Sequence, residues 1–171
     1  MVQDFDSNRK LECGTKALDR ILGFFPRADG RAQVLLGIDV GMLFTLAINV
    51  PPLLGPWWVD CFYVASVLLL IVSLFKIYKV FFPQLSGGTD SLLYFQEIRK
   101  LAEREYIDRF TLRSVDQQIA DVLGQVWRNS TIIADKFSNL RDAMLYAAAA
   151  LPFWIFALSS SAVTKGAISW K

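Results

Sequence analysis

Three long stretches of this chain lack the polar rhythm of a soluble helix. Residues Ala32 to Val50 (AQVLLGIDVGMLFTLAINV) are apolar with Asp39 and Asn49 as the conspicuous exceptions. A bilayer's hydrocarbon core, about 30 Å thick, takes roughly 20 such residues as a spanning helix. Pro51-Pro52 ends the block, and a short link through Gly55-Pro56 leads to Trp57-Trp58. From Cys61 to Phe75 there is no charge, and the apolar character continues around Lys76 and Lys79 to Phe82. Both lysines stand near the block's end, where long stems snorkel to the headgroups. The third block, Met144 to Ala162, is also uncharged. Pro152 within it is compatible with a bilayer helix as a kink, while the Ser159-Ser160-Ser161 end leaves open whether this block crosses completely.

The segment between the second and third blocks has a different periodicity. After Gly87-Gly88, with Thr89 or Asp90 as N-cap, the apolar positions Phe95, Ile98, Ala102, Tyr106 and Phe110 predict a helix of about five turns. Ser114-Val-Asp-Gln117 is a capping-box pattern. From Val115 through Val122, Ile133, Leu140 and Met144 the apolar steps average near 3.6, and only Gly124 weakens the passage into the third block. One long helix is predicted from Ser114 to beyond Leu151, amphipathic first and apolar all round later. Nearer the N-terminus, Leu18, Ile21, Leu22 and Phe25 mark a short helix. Two readings of it stay open: packing on the cytoplasmic bundle, or lying on the inner leaflet and ending at Pro26.

The expected fold is therefore an all-α membrane protein with three transmembrane helices and a cytoplasmic amphipathic helical hairpin or bundle between the second and third. Its expected parts are an N-terminal segment (1–31), a transmembrane hairpin (32–82), a cytoplasmic helical region (83–143), a third transmembrane helix (144–162) and a short tail (163–171). Composition agrees: 54% of the 171 residues are hydrophobic and 20% charged, with a mean hydropathy of +0.37. A soluble chain this short lacks the polar surface to cover three greasy helices. Residues 1–31 hold six basic and five acidic residues and no apolar signal-peptide core. Lys and Arg number six in residues 1–31, ten in 76–143, none in 51–60 and two after 162. The positive-inside bias then puts the N-terminus and residues 83–143 in the cytoplasm. Trp57, Trp58 and Tyr63 become an outer aromatic belt, and Tyr78, Phe81 and Phe82 an inner one. Cys13 and Cys61 fall on opposite sides, so no disulfide between them is expected.

Candidate chemistry is sparse. With no histidine and two cysteines, triads and most zinc sites are excluded. No nucleophile–base pair stands out, so no catalytic residue, metal ligand or cofactor is expected, and the chain is not read as an enzyme. Asp39 and Asp60 lie 21 residues apart in the sequence, near different depths, too far for an acid dyad. A formal charge of +2 is too balanced to suggest nucleic acid as a partner. Asp39 most needs a reason, since a mid-helix carboxylate costs about 2.5–3.5 kcal/mol on insertion scales. It stands between Gly37 and Gly41, a spacing that lets helices approach closely. Two readings stay open: a polar site in an oligomeric pore or gate, with Asn49 as a companion, or a protonated or hydrogen-bonded group that fixes packing. Arg99, Lys100 and Arg104 interleave with Glu97, Glu103 and Glu105, which favours a salt-bridged, solvated face. Arg128, Lys136 and Arg141 invite the same caution, and Trp127 reads as packing. Gly87-Gly88 lacks the strand and the Lys-Ser/Thr of a phosphate loop.

Asp29-Gly-Arg31-Ala32 stands at the entry to the first membrane helix, followed by Tyr94-Phe95-Gln-Glu-Ile98, Tyr106, and a helix carrying Gln125, Ser130, Lys136 and Leu140. This order of features resembles the membrane effector family of bacterial Pycsar antiphage systems. It covers residues 29–160, with Arg31 standing where Lys is expected as often. The resemblance implies a multi-pass protein of the bacterial inner membrane that senses cyclic UMP or cyclic CMP and compromises the membrane. Three helices are too few to enclose a wide channel, so a homo-oligomer in the lipid bilayer is expected. Arg31, Arg99, Arg104 and Lys136 are the candidate ligand contacts, with Asp29 a structural partner of Arg31 or Lys136. The rival is a constitutive small membrane scaffold or channel subunit that senses no nucleotide.

Overall fold

A computed structural model describes residues 2–51, 57–82 and 88–164, with the side chains of residues 6–163 among them. The expected link through Pro52, Gly55 and Pro56, Gly87 of the glycine pair, and the tail from Lys165 lie outside the described residues. The described chain is helical and carries no strand. Its elements are α1 (Val2–Leu22), α2 (Phe25–Ile48), α3 (Trp57–Phe81), α4 (Phe95–Ile98), α5 (Glu103–Leu112) and α6 (Val115–Thr164). Three of these stretches of helix are long and apolar enough to cross a membrane. The protein is a multi-pass membrane protein.

Contacts divide the chain into two units. One holds residues 1–27 and 83–135, the other 28–82 and 136–171, and α6 contributes to both. The second is the membrane unit. Its helices bury narrow stripes whose steps are three, four or, as their sum, seven. On α2 these are Ala28, Ala32, Asp39, Met42 and Leu46. On α3 they are Val59, Ser66, Leu70, Ser73, Ile77 and Val80. On α6 the stripe runs through Leu140, Ala143, Ala147, Ala150, Ala157 and Ser161. A seven-residue repeat is the seam of coiled-coil packing, narrower than the face of an ordinary amphipathic helix. Outside the seam the surface is apolar: Val34, Phe44, Leu68 and Leu145 are each more than half exposed. Lipid is the solvent in which such a surface is stable.

Two clusters fill the seam. Ala32, Ile77, Val80, Leu140 and Ala143 form one, and Met42, Leu46, Leu70, Ala150 and Ala157 the other. The residues that meet show that α2 and α6 run parallel while α3 runs against both. Polar side chains tie the helices to one another's backbones. Trp154 Nε1 donates to the Met42 carbonyl at 3.1 Å and to Thr45 Oγ1 at 3.0 Å. Tyr63 Oη donates to the Leu46 carbonyl at 3.2 Å, Ser73 Oγ to that of Ala143 at 3.0 Å and Ser161 Oγ to that of Asn49 at 2.9 Å. The serine-rich end of the third block is thus helical and buried at Ser161. Two ion pairs add to this, Lys136–Asp29 at 2.6 Å and Lys76–Asp142 at 2.8 Å. Lys76 therefore reaches α6, while Lys79 lies over the Phe75 ring.

Several sequence expectations need correction. The helix expected over five turns is broken, with α4 ending at Ile98 and Ala102 extended before α5. Its start is displaced because side chains capture the backbone first. Ser91 Oγ accepts from the amides of Leu93 and Tyr94, and Asp121 accepts the Leu92 amide. Neither Thr89 nor Asp90 caps a helix, and Asp90 takes φ 60°, a left-handed conformation that Asp tolerates better than most residues. The period near 3.6 along α6 is also revised: Met144 is 54% exposed while Ala143 is fully buried. A stripe with a seven-residue repeat drifts off a 3.6 pattern within a few turns. Trp127, read as packing, is 71% exposed. Pro26 ends no helix. It falls in the first turn of α2, where its missing N–H and fixed φ are tolerated. The capping box stands: the Ser114 amide donates to Gln117 Oε1 at 3.1 Å, and the Gln117 amide to Ser114 Oγ at 3.3 Å.

Candidate functional site

The unit built from residues 1–27 and 83–135 carries the polar chemistry. α1 packs on α6 through Gly14, where an added Cβ would stand 3.1 Å from a Val122 methyl. The turn at Asp90–Leu92 is held to α6 by Gln125 Nε2 donating to Ser91 Oγ at 2.8 Å and by the Leu92 amide on Asp121 at 2.9 Å. Arg113 completes this knot. It pairs with Asp121 at 2.8 Å and donates to the Asp90 carbonyl at 2.6 Å.

Beside the knot lies a cavity of about 350 Å³ lined by Thr89, Asp90, Arg113, Gln117, Gly124 and Arg128, among others. Arg113 is spent on Asp121 and Asp90. Arg128 is different: among the described residues no ion pair or hydrogen bond engages it, and its Nε is buried without a partner. Its guanidinium lies over Gly88 and Gly124, and a Cβ at either position would press on it. Gly88 has φ 81°, which an L side chain adopts only at a cost. The two glycines therefore make a cradle for a free cation on the cavity wall. Gln117 adds an amide whose Oε1 serves the Ser114 cap, leaving Nε2 as a donor. Such a site suits a small anion with hydrogen-bonding edges.

Substituting Gly88 by Ala forces a left-handed residue and displaces the guanidinium. The expected loss is about 1 kcal/mol of stability, measured as a lowered melting temperature in detergent.

The four expected ligand contacts are divided between the units. Lys136 is committed to Asp29, and its side chain is only 13% exposed. Arg31 belongs to the same unit and is exposed. Arg99 and Arg104 belong to the polar unit and are exposed. The interleaved acids behave as expected of a solvated face: Lys100 pairs with Glu97 and Arg109 with Glu105. The hydrogen bond from Lys100 holds the Glu97 carboxyl below its usual range.

In the membrane unit, Asp39 is fully buried, and neither of its oxygens has a hydrogen-bond partner. Ser73 lies beside it, but the Ser73 proton is given to the Ala143 carbonyl. Asn49 is satisfied locally, donating to the Thr45 carbonyl at 2.9 Å. At Gly37 and Gly41 an added Cβ would meet nothing within 4 Å, so neither serves packing within the chain. Cys13 and Cys61 are free and exposed.

The model of the Pycsar effector protein domain matches residues 14–162. The chain belongs to the Pycsar effector family. The match spans most of both units, from α1 almost to the end of α6. Membership makes the protein a membrane effector of antiphage defence and fits a cyclic nucleotide signal in general. No curated protein and no solved structure matches the chain. Sequence reasoning reached the effector's membrane helices and Asp39 but set Arg128 aside as a solvated charge. The available signal was Gly124, a helix-weakening glycine one turn before Arg128 on the same face.

Proposed function

We propose that the protein is a non-enzymatic effector of the bacterial inner membrane, activated by cyclic UMP or cyclic CMP and impairing membrane integrity as a homo-oligomer. The observation that carries this reading is the Arg128 guanidinium, unpaired among the described residues, on the wall of a polar cavity in a Pycsar effector. A cyclic mononucleotide bears one negative phosphate, which a guanidinium binds through charge-assisted, often bidentate hydrogen bonds. The Gln117 Nε2 donor suits a pyrimidine carbonyl, and a cavity at the small end of ligand pockets favours the smaller base. With the N-terminus and residues 83–143 cytoplasmic, as the Lys and Arg distribution favours, the cavity is supplied by nucleotides of the cytoplasm. Chain continuity through α6, from the cavity's Gln117 to the buried Ser161, supports a link between ligand and membrane. The ligand must bind the leaky state better than the tight one.

A thermal-shift panel on detergent-purified protein tests the ligand. Cyclic UMP or cyclic CMP raises the melting temperature with concentration, toward about 2.7 kcal/mol at 100 times Kd, while cyclic AMP, cyclic GMP and 5′-UMP do not. No shift with any of them, or equal shifts with all, overturns the reading in favour of a constitutive scaffold or channel subunit.

Assembly has its own test. Gly37 and Gly41 face open space within one copy, so Gly41→Leu leaves the single chain's packing intact but obstructs close helix approach between copies. The expected result is unchanged helicity with loss of higher cross-linked species and of vesicle leakage. Normal assembly in this variant removes the glycine pair from the interface.

A further inference from the structure

We infer that Asp39 is the cation-selecting residue of the activated membrane path, which opens where the helix seams of the assembled copies part at the level of Asp39. This rests on the membrane-disrupting reading above and adds where the path opens and which ions it passes.

The seam is otherwise well satisfied. Trp154, Tyr63, Ser73 and Ser161 each donate to a backbone carbonyl of a neighbouring helix. Among the described residues, the buried side-chain oxygens left without a partner belong to Asp39 and Ser66. Both lie on the seam, on facing helices α2 and α3, and both are fully buried. Natural interiors leave few such groups, and each one calls for a cause. Packing alone is a poor cause, because an apolar side chain at position 39 would close the seam without burying an unpaired carboxyl. On α6 the seam offers Ala143, Ala147 and Ala150, side chains too small to obstruct water once the helices part.

The closed bundle therefore bears a cost within the seam, and water relieves it. Hydration of Asp39 and Ser66 favours the open arrangement, so ligand binding has less to supply. Water reaching Asp39 solvates a carboxylate there, and carboxylates lining a path select cations. Copies of the chain multiply the effect without changing its sign.

Full-length protein in planar bilayers under a KCl gradient, with cyclic UMP or cyclic CMP present, provides the test through the reversal potential. A single charge about 4 Å from the ion path, in the dielectric of water, sets a cation-over-anion preference of about thirtyfold. Asp39→Asn brings the ratio to about one while current persists, because the neutral amide no longer separates the two signs. Asp39→Glu keeps the preference, and Asp39→Ser serves as a second neutral variant should the Asn protein fail to reconstitute. A wild-type current without cation preference, or a neutral variant that retains it, overturns the inference and leaves the leak reading standing. No nucleotide-dependent current with wild-type protein overturns both.

Discussion

Arg128→Glu is expected to abolish nucleotide activation while leaving the fold in place. The guanidinium rests on Gly88 and Gly124 and engages no acidic partner among the described residues, so no ion pair is broken by its removal. The knot of Arg113, Asp121 and the Leu92 amide, which organises the turn, is independent of it. Binding loses two charge-assisted hydrogen bonds, each worth about 1.5–3 kcal/mol. The phosphate also meets a like charge, so affinity falls by a hundredfold or more on the scale of about 1.4 kcal/mol per tenfold. Isothermal titration on detergent-purified variants measures this, with Arg128→Lys retaining part of the affinity as a point charge without the planar fork. Unchanged affinity in Arg128→Glu would move the ligand elsewhere.

Lys136→Glu is expected to destabilise the membrane unit markedly. Lys136 meets Asp29 at 2.6 Å, with side-chain exposures of 13% and 36%, so reversal sets two carboxylates against each other in partial burial. Removing one partner of a fully buried pair costs about 3–5 kcal/mol, and the exposure of Asp29 discounts this to about 2 kcal/mol. The double reversal, Lys136→Glu with Asp29→Lys, restores most of it. A double-mutant cycle on melting in detergent isolates the pair. A single reversal that leaves melting unchanged would show that the contact contributes nothing to the fold. The same cycle separates structure from ligand binding at Lys136, since nucleotide affinity of the folded fraction should follow Arg128 and not this pair.

Much of the fold was legible because its signals are local or periodic. Apolar length marked the membrane helices, and the Ser114–Gln117 box marked the start of α6 within one residue, since both halves of that cap lie within four positions of each other. Asp39 was legible as a cost, because an acid among aliphatic residues is conspicuous whatever surrounds it. The broken helix between Phe95 and Leu112 was not, because Ser91 and Asp121 capture the turn's amides, and Asp121 lies 29 residues away from Leu92. Arg128 was hidden for a related reason. Its sequence neighbours describe an exposed helix face, and only the left-handed turn at Gly88, 40 positions earlier, brings a second glycine beneath the guanidinium. The Gly37–Gly41 spacing has the small-residue geometry of close helix approach, yet the chain's own helices leave it empty. Sequence spacing gives the capacity for close approach and not the identity of the partner.

The most direct measurement is efflux from sealed lipid vesicles containing only the purified full-length protein, recorded before and after adding each cyclic mononucleotide. Vesicles that stay tight alone and leak on addition of cyclic UMP or cyclic CMP, with no response in the Arg128→Glu protein, are the predicted result. Leakage of equal rate with and without nucleotide, or none under any addition, would contradict a nucleotide-triggered membrane effector.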